Sequence, residues 1–292
     1  MTISLSPDEP KLQPQGSTCY SSKYLADYYD LHIEDWNDAG LYGDKLDTMI
    51  SQVSPPVTVF DIGTGSGRVI HSLLAAKPRA NVRFLGLDIE PHMLERARQL
   101  TDPSVADQID WLLGSADNLE SLPVFQNGPP FVDMITFACG SICHLHQPGQ
   151  GERFFQQIAK VLKPGTGRAY VSVLNMLTDG GEAQAQALRP PFGNDPVASK
   201  VLPGILYRET WPRHELIDKV WHTARHIVAF RLLPGGEEQV VEYNVSEREA
   251  RVWTEADLRA AAKIAGLQLV EKIVQENETG LPETIFVWGV DV

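Results

Sequence analysis

One stretch near residue 60 constrains the fold more than any other. The apolar pair Val59-Phe60 reaches an acid, Asp61, and three glycines then alternate with other residues in the order Asp-Ile-Gly-Thr-Gly-Ser-Gly. Only glycine readily permits the left-handed turns and the close backbone approach with which a loop surrounds a bound nucleoside. The spacing differs from the Gly-x-Gly-x-x-Gly pattern of dinucleotide sites, and no Lys-Ser or Lys-Thr pair follows as in a P-loop. The stretch therefore predicts a nucleoside-binding loop after a buried strand.

Strand-like and helix-like stretches alternate on the C-terminal side of this loop. Such alternation predicts a doubly wound, mostly parallel α/β sheet with right-handed crossovers. Asp88 ends the second apolar strand, which places it beside the glycine loop, where a carboxylate accepts ribose hydroxyls. We predict strands at 57–62, 82–88, 109–113, 131–138 and 168–174, and helices at 66–76, 91–100 and 150–162.

The rest of the chain divides by composition. A stretch rich in glycine, alanine, glutamine and proline precedes three extended segments, and Pro234-Gly235-Gly236 between the last two is a hairpin signal. Thr254 and Asp257 form a capping-box-like start for a final helix. The predicted units are a flexible tail (1–18), N-terminal helices (19–56), a binding core (57–178), a linker with an antiparallel β lid insertion (179–250), and a C-terminal helix with a strand pair that completes the sheet (251–292).

Composition limits the environment and the partners. The formal net charge of -13 over 292 residues argues against wrapping a nucleic acid, whose binders present a basic face. The first residues lack a basic and an apolar signal region, and no stretch approaches 18 consecutive apolar residues, so we predict no membrane segment and a cytoplasmic location. Three cysteines predict no disulfide scaffold. The spacing of Cys139, Cys143, His144 and His146 matches no structural zinc pattern, so we predict no metal.

The ordered series from Val57 to Leu174 resembles the class I S-adenosylmethionine-dependent methyltransferases that act on small molecules. The resemblance implies a Rossmann-like seven-stranded sheet with S-adenosyl-L-methionine as cofactor and the β-rich insertion as a lid. Tyr29-Asp30 is similar to the Tyr-Asp of the N-terminal helix of amino-sugar N-methyltransferases, where the tyrosine closes over the methionine carboxylate. By this resemblance the helices of 19–56 cover the cofactor; half-buried packing is the alternative for Tyr29.

The resemblance also assigns parts of the chain to parts of the cofactor. The glycine loop, ordered by Asp61, would cradle the methionine end, and Asp88 would accept from the ribose. Ile89 and Met93 would flank the adenine, and Asp117 would accept from its amino group. The alternative for Ile89 and Met93 is ordinary core packing, and the alternative for Asp117 is a solvated acid in a loop. The cofactor-binding prediction comprises Tyr29, Asp61, Gly63, Gly65, Gly67, Asp88, Ile89, Met93, Ala116, Asp117 and Cys139.

The segment after the fourth strand is expected beside the transferring methyl group. Its Gly-Ser-x-x-His-Leu pattern, ending at Leu145, looks like the Asn-Ser-Phe-Ala-His-Leu segment of glycine N-methyltransferases. It lacks the Asn-Pro-Pro-aromatic pattern of enzymes that methylate DNA adenine or peptide glutamine. His144 is the candidate general base and substrate contact, with surface packing as the alternative. On the lid, Tyr207 and Trp211 are candidate substrate contacts, and a solvated β-face is the alternative.

These features together predict a methyltransferase with a small-molecule acceptor, slightly favouring an amine nitrogen over a hydroxyl. Two alternatives stay open. One is an enzyme that binds the same cofactor and catalyses cyclisation or rearrangement, and the other is a regulatory protein that retains the pocket. A dinucleotide dehydrogenase is disfavoured by the glycine spacing. We predict no nucleic-acid or membrane partner, and a homodimer remains open.

Overall fold

Two β-sheets organise the chain. The computed structural model describes residues 11–12, 18, 20–33, 36, 39–126, 132–193, 195–275 and 281–291. In chain order the strands are β1 (Lys11–Leu12), β2 (Val57–Ile62), β3 (Val82–Asp88), β4 (Ile109–Leu113), β5 (Met134–Phe137), β6 (Arg168–Leu174), β7 (Val197–Ala198), β8 (Leu206–Ile217), β9 (Val220–Leu232), β10 (Glu238–Arg251), β11 (Leu267–Gln275) and β12 (Glu283–Val290). The helices are α1 (Lys23–Ile33), α2 (Ala39–Gln52), α3 (Arg68–Ala76), α4 (Pro91–Leu100), α5 (Gln150–Val161), α6 (Glu182–Gln186) and α7 (Glu255–Ile264).

The larger sheet has seven strands in the order β11-β12-β6-β5-β2-β3-β4. Strands β2 to β6 run parallel, and β12 is antiparallel to both of its neighbours. Alternate residues of each strand enter two separate hydrophobic clusters, as expected for a sheet covered on both faces. One cluster includes side chains of α5 and α7, and the other includes side chains of α2 and α3. The fold class predicted from the sequence is confirmed.

Most predicted element bounds of this sheet agree with the structure, and two differ for local reasons. The helix predicted to begin at residue 66 begins at Arg68, because Gly67 has a φ of 85° and cannot be helical. The strand predicted over 131–138 spans Met134–Phe137, because Cys139 turns the chain with a φ of 52°; residue 131 lies outside the described residues. The capping box at Thr254 and Asp257 is confirmed.

The smaller sheet is the insertion, in the order β1-β10-β9-β8-β7. Its three long strands form an antiparallel meander, and the predicted hairpin turn joins β9 to β10. The predicted linker contains α6 and β7. The tail predicted to be flexible over residues 1–18 contains one short strand, β1. Its backbone pairs in parallel with β10 at Glu242 and Tyr243, so this part of the tail belongs to the sheet. None of the described helices is long and apolar enough to cross a bilayer.

Helix α1 lies between the two sheets. Leu25 and Tyr28 pack with β8 and β9 residues in a third hydrophobic cluster. From the same helix, Asp30 accepts hydrogen bonds from Ser66 in the glycine loop and from Arg96 in α4. One helix therefore contacts both the carboxyl ends of the parallel strands and the inner face of the insertion.

Candidate active site

The first element of the site is the loop that follows β2. Asp61 is buried, and its carboxylate accepts hydrogen bonds from Thr64 Oγ1 at 2.7 Å and from Thr136 Oγ1 at 2.6 Å. Because Thr136 belongs to the neighbouring strand β5, one carboxylate ties the loop to two strands. Gly63, two residues after Asp61, begins the loop with a φ of 63°. Asp61 therefore lies where an acid can order the glycine loop.

Glycine is required at two positions of this loop. Gly65 has a φ of 57°, and a Cβ added there would lie 3.4 Å from Cε1 of Tyr29 and 3.3 Å from Cε of Met93. Gly67 has a φ of 85°, and a Cβ there would lie 2.6 Å from the ring of Trp111. Left-handed backbone with so little space admits no larger residue without rearrangement. The loop thus brings together three of the predicted residues, Gly65, Tyr29 and Met93.

Asp88 ends β3 beside the loop. Its Oδ2 accepts a hydrogen bond from the backbone N–H of Gly65 at 2.8 Å, and its Oδ1 accepts one from the N–H of Glu90 at 2.9 Å. Burial raises the pKa of Asp88 to about 6, although hydrogen bonds from the two backbone amides oppose the rise. An ionised carboxylate accepts about four hydrogen bonds, so lone pairs remain for a ligand.

The apolar residues predicted around the adenine differ in exposure. Ile89, next to Asp88, is 66% exposed, which is unusual for an isoleucine beside a buried strand. Met93 is buried in α4 and reaches the glycine loop. Ala116 is half-buried and packs against the main hydrophobic cluster. An exposed apolar side chain at this point leaves one surface that a flat ring can cover.

Asp117 is engaged by the protein. Its Oδ1 accepts a hydrogen bond from Ser115 Oγ at 2.5 Å. Its Oδ2 pairs with Arg153 of α5, with a distance of 3.0 Å from Nη2. The ion pair with Arg153 thus adds a contact within the protein to the two roles expected for Asp117, a ligand acceptor or a solvated acid.

Helix α1 covers the glycine loop. Asp30 accepts a hydrogen bond from Ser66 Oγ at 2.5 Å and from Arg96 Nε at 2.8 Å. The neighbouring residue Tyr29 lies against Gly65, and the ring of Tyr20 meets it edge to face with centroids 5.3 Å apart. Burial raises the pKa of Tyr29, so its hydroxyl remains protonated. The Tyr-Asp pair therefore lies over the loop.

Cys139 follows β5 in a left-handed conformation, which is uncommon for a residue with a side chain. Its Sγ accepts a hydrogen bond from Arg68 Nη2 at 2.9 Å. Arg68 is the first residue of α3 and also donates to the carbonyl of Trp36 at 3.3 Å. Strained backbone of this kind persists at binding sites when the surroundings fix it. Within the described part of the chain, no group of three or more His, Cys, Asp or Glu side chains could hold a metal ion.

His144 ends the short 3-10 turn Ser141–His144 and is half-buried. The ring of Tyr20 meets the imidazole edge to face, with centroids 6.3 Å apart. Burial and then the nearby positive charge of Arg248 lower the pKa of His144 to about 3, although a hydrogen bond with the backbone of Glu249 opposes this. The imidazole is therefore neutral at physiological pH and is a weak base.

The two lid residues predicted as substrate contacts differ in their surroundings. Tyr207 is fully buried, and its hydroxyl donates to Asp27 of α1 at 2.7 Å. Tyr207 therefore packs between the insertion and α1 instead of facing an open surface, which departs from the prediction. Trp211 is half-buried, and its Nε1 donates to Glu209 Oε1 at 2.9 Å.

A buried charged network surrounds Glu209. This carboxylate pairs with Arg225 of β9 and accepts a hydrogen bond from Tyr28 Oη at 2.8 Å. Burial alone would raise the pKa of Glu209, but Arg225 and the hydrogen-bond donors hold it below its usual value. The network joins α1 to the inner face of the insertion.

Comparisons with known proteins agree with this arrangement. A family model described as a methyltransferase domain matches residues 59–165. The N-methyltransferase FrzE of Cladobotryum sp is 32% identical over 277 residues, which cover 88% of this chain and 93% of FrzE. The chain belongs to the class I S-adenosylmethionine-dependent methyltransferases.

Solved structures of other methyltransferases share the fold at low identity. The sugar N-methyltransferase KedS8 from Streptoalloteichus sp ATCC 53650 superposes with a TM-score of 0.68 at 16% identity, covering 100% of this chain and 99% of that chain. The amino pentose methyltransferase CalS10 from Micromonospora echinaspora, solved with S-adenosylmethionine bound, gives 0.59 at 16% identity, covering 94% of this chain and 99% of that chain. The cofactor of this methyltransferase is S-adenosylmethionine, as predicted.

Several site residues of the methyltransferase were missed at the sequence level. Most of them contact residues that lie far away along the chain, which a local pattern does not indicate. A basic residue at the first position of a helix after the glycine loop is the one local signal that could have been used, and it marks Arg68. The missed residues are Tyr20, Ser66, Arg68, Arg96, Arg153, Glu209 and Arg248.

Proposed function

We propose that the methyltransferase transfers a methyl group to an amine nitrogen of a small molecule. The surroundings of His144 carry this proposal. Burial, with Arg248 adding to it, lowers the pKa of His144 to about 3. An ammonium group placed beside His144 experiences the same penalties, so its pKa also falls. An amine acceptor is therefore favoured as the free base, with its lone pair available.

A hydroxyl acceptor is less suited to this site. Hydroxyl attack requires removal of a proton, which a general base performs well when its pKa lies near the working pH. With a pKa of about 3, His144 is poorly matched to that task. The names of two similar proteins, the N-methyltransferase FrzE and the sugar N-methyltransferase KedS8, also support nitrogen as the acceptor atom.

We propose further roles for the residues around the glycine loop. Asp88 would accept from the ribose hydroxyls with its free lone pairs, and the exposed Ile89 with Met93 would flank the adenine. Tyr29, which packs against Gly65, is proposed to cover the methionine part. Cofactor contacts are also proposed for Asp61, Gly63, Gly67, Ala116, Asp117 and Cys139.

The cofactor supplies a methyl group on a positively charged sulfur, which makes that carbon electrophilic. The protein's own contribution is to orient the acceptor and to exclude water. Tyr29, Tyr20 and His144 form a continuous aromatic wall from the glycine loop towards the insertion. We propose that His144 lines the acceptor site and orients the amine, without acting as a strong base.

An acceptor screen tests the choice of nitrogen. Matched amines and alcohols, such as benzylamine with benzyl alcohol and a 3-amino sugar with its parent sugar, are incubated with the enzyme and cofactor. We expect a mass gain of one methyl on amines alone, lost in Asp88→Ala and kept in Asp110→Ala, whose carboxylate forms an exposed ion pair with Arg83. Methylation of the alcohols in preference to the amines would overturn the proposal.

A His144→Asn variant tests the role of the imidazole. Removal of a true general base lowers the rate by roughly a hundredfold to ten-thousandfold. Because the proposed role is orientation of an amine that arrives unprotonated, we expect kcat to fall by less than about tenfold. A pH-rate profile that follows the pKa of the amine substrate in both proteins would agree, whereas a loss of several hundredfold would restore His144 as a base.

A further inference from the structure

Three polar residues alternate along β10 and lie on one face of that strand: Asn244, Ser246 and Arg248, here named the β10 polar row. Asn244 is 0% exposed and Ser246 is 5% exposed, while Arg248 is half-buried. Among the described residues, no hydrogen-bond partner is found for either amide atom of Asn244, for the Ser246 hydroxyl or for Arg248 Nε. Buried polar groups are normally paired, so three neighbouring exceptions on one face point to a ligand.

The other charged groups on this inner face are paired. Glu242, two residues before the row, accepts a hydrogen bond from Ser22 Oγ at 2.6 Å, and Glu209 pairs with Arg225. By contrast, no hydrogen bond or ion pair joins Arg248 to any residue in the described part of the chain. Within the described residues, this face therefore carries one positive charge without an ion-pair partner, and the two neutral side chains that precede it on the same face of β10 can donate hydrogen bonds.

The β10 polar row lies at the acceptor end of the site. Arg248 is close enough to His144 for its charge to lower the pKa of the imidazole, and strand β10 contacts the turn that carries His144. His144 in turn meets Tyr20, and Tyr20 meets Tyr29 over the glycine loop. A molecule placed against His144 can therefore have one end near the cofactor and the other near Arg248.

The donors of the row fit an oxyanion. A guanidinium presents a planar fork that matches a carboxylate, and an amide N–H with a hydroxyl adds donors for the same oxygens. One uncompensated cation balances one negative charge, as a carboxylate provides, whereas a phosphate monoester would bring nearly two. The carboxylate would also satisfy groups that otherwise stay desolvated without partners.

We infer that the β10 polar row binds a carboxylate of the acceptor, so that the substrate is a small amine that also carries a carboxylate group. This inference rests on the proposed function, because it concerns the other end of the same acceptor. Burial is the larger cause of the lowered pKa of His144 and persists after Arg248 is neutralised, so it still disfavours a charged amine beside His144.

A titration followed by NMR tests the inference directly. The protein, labelled with 15N and saturated with S-adenosylhomocysteine, is titrated with acetate and benzoate, with their neutral counterparts acetamide and benzamide, and with inorganic phosphate. The Arg248 Nε–H signal is assigned from its loss in Arg248→Gln. We expect saturable shifts of this signal and of the Asn244 amide signals with the two carboxylates only. In Arg248→Gln and in Asn244→Ala, benzoate should bind about tenfold or more weakly.

The matched control is Arg231→Gln, because Arg231 is an exposed cation on β9 of the same sheet and should leave benzoate binding unchanged. Absence of saturable shifts, equal shifts with the amides, tighter binding of phosphate, or unchanged benzoate binding in Arg248→Gln would each overturn the inference. Calorimetric binding of S-adenosylhomocysteine is measured on every variant first, which separates misfolding from a specific loss. The proposed choice of nitrogen is judged by the acceptor screen, so either idea can fail while the other stands.

Discussion

The two sheets of the molecule differ in how their buried polar side chains are hydrogen-bonded. In the seven-stranded sheet, polar side chains of the site gather at the carboxyl ends of the parallel strands, and each is paired, as Asp61 is with Thr64 and Thr136. In the insertion sheet, buried polar side chains line the inner face, and Asn244 and Ser246 lack partners among the described residues. Among the described residues, the protein thus supplies the hydrogen-bond partners of Asp61, whereas it supplies none for the side chains of Asn244 and Ser246.

This difference has an energetic meaning. A hydrogen bond within the protein contributes about 1 kcal/mol net, but a buried polar group without a partner costs about 1–3 kcal/mol. A site that keeps such groups discriminates strongly against ligands that cannot satisfy them. We therefore propose that the unpaired polar groups of the insertion contribute to the choice of acceptor, and four experiments can break or sharpen the comparison of the two sheets.

The largest effect on stability is expected from breaking the buried ion pair of the insertion. Glu209→Ala would leave Arg225 buried without its partner and remove an acceptor from Tyr28. We expect the free energy of unfolding to fall by about 3–5 kcal/mol in denaturant titrations. The control is Glu238→Ala, whose partner Arg208 is at the surface, with an expected loss below about 1 kcal/mol. Equal losses in the two variants would mean that the inner-face network does not stabilise the fold.

The next effect concerns the cofactor half. Asp88→Ala would remove a carboxylate that both orders the glycine loop and is proposed to receive the ribose. We expect the affinity for S-adenosylhomocysteine to fall about a hundredfold by calorimetry, since charge-assisted hydrogen bonds are the strong ones. Asp110→Ala, on the neighbouring strand β4, should bind normally. An Asp88→Ala protein that binds within threefold of the wild type would separate Asp88 from the cofactor.

Acid should weaken the cofactor half in a defined range. The pKa of Asp88 is raised to about 6, so a proton binds below that pH, and the proposed ribose contact prefers the ionised form. Affinity for S-adenosylhomocysteine should therefore be constant above pH 7 and fall about tenfold for each pH unit below 6. Asp88→Asn should bind weakly without this dependence. A wild-type affinity that stays constant down to pH 5 would contradict the assignment.

The smallest expected effect is a gain of stability, on removal of a charge from the insertion sheet. Arg248→Met removes a half-buried cation for which no partner is found in the described parts of the chain, so the protein alone should gain about 1 kcal/mol of stability. Binding of S-adenosylhomocysteine should not change. The surface substitution Arg231→Met should alter stability by less than about 0.5 kcal/mol. Thermal denaturation of the wild type, Arg248→Met and Arg231→Met measures these changes. A loss of stability in Arg248→Met would show that the cation supports the fold.

Sequence patterns succeeded where the relevant interactions are local. The bounds of β2, β3, β4 and β6 follow from short apolar runs, and Asp88 lies at a strand end that parallel topology brings to the glycine loop. Patterns failed where register and tertiary packing decide. Both faces of β10 carry polar residues, so alternation alone could not identify the buried row that includes Asn244. Sequence alone predicts Tyr207 as a substrate contact, because no local pattern indicates that its hydroxyl donates to Asp27 of α1.

The position of α1 has a consequence for motion. The helix is fixed to the glycine loop through Asp30 and to the insertion through Tyr28 and Asp27. A displacement of α1 away from one of these regions therefore strains or breaks its hydrogen bonds with the other. Movements of the glycine loop and of the insertion are in this sense mechanically coupled through one helix.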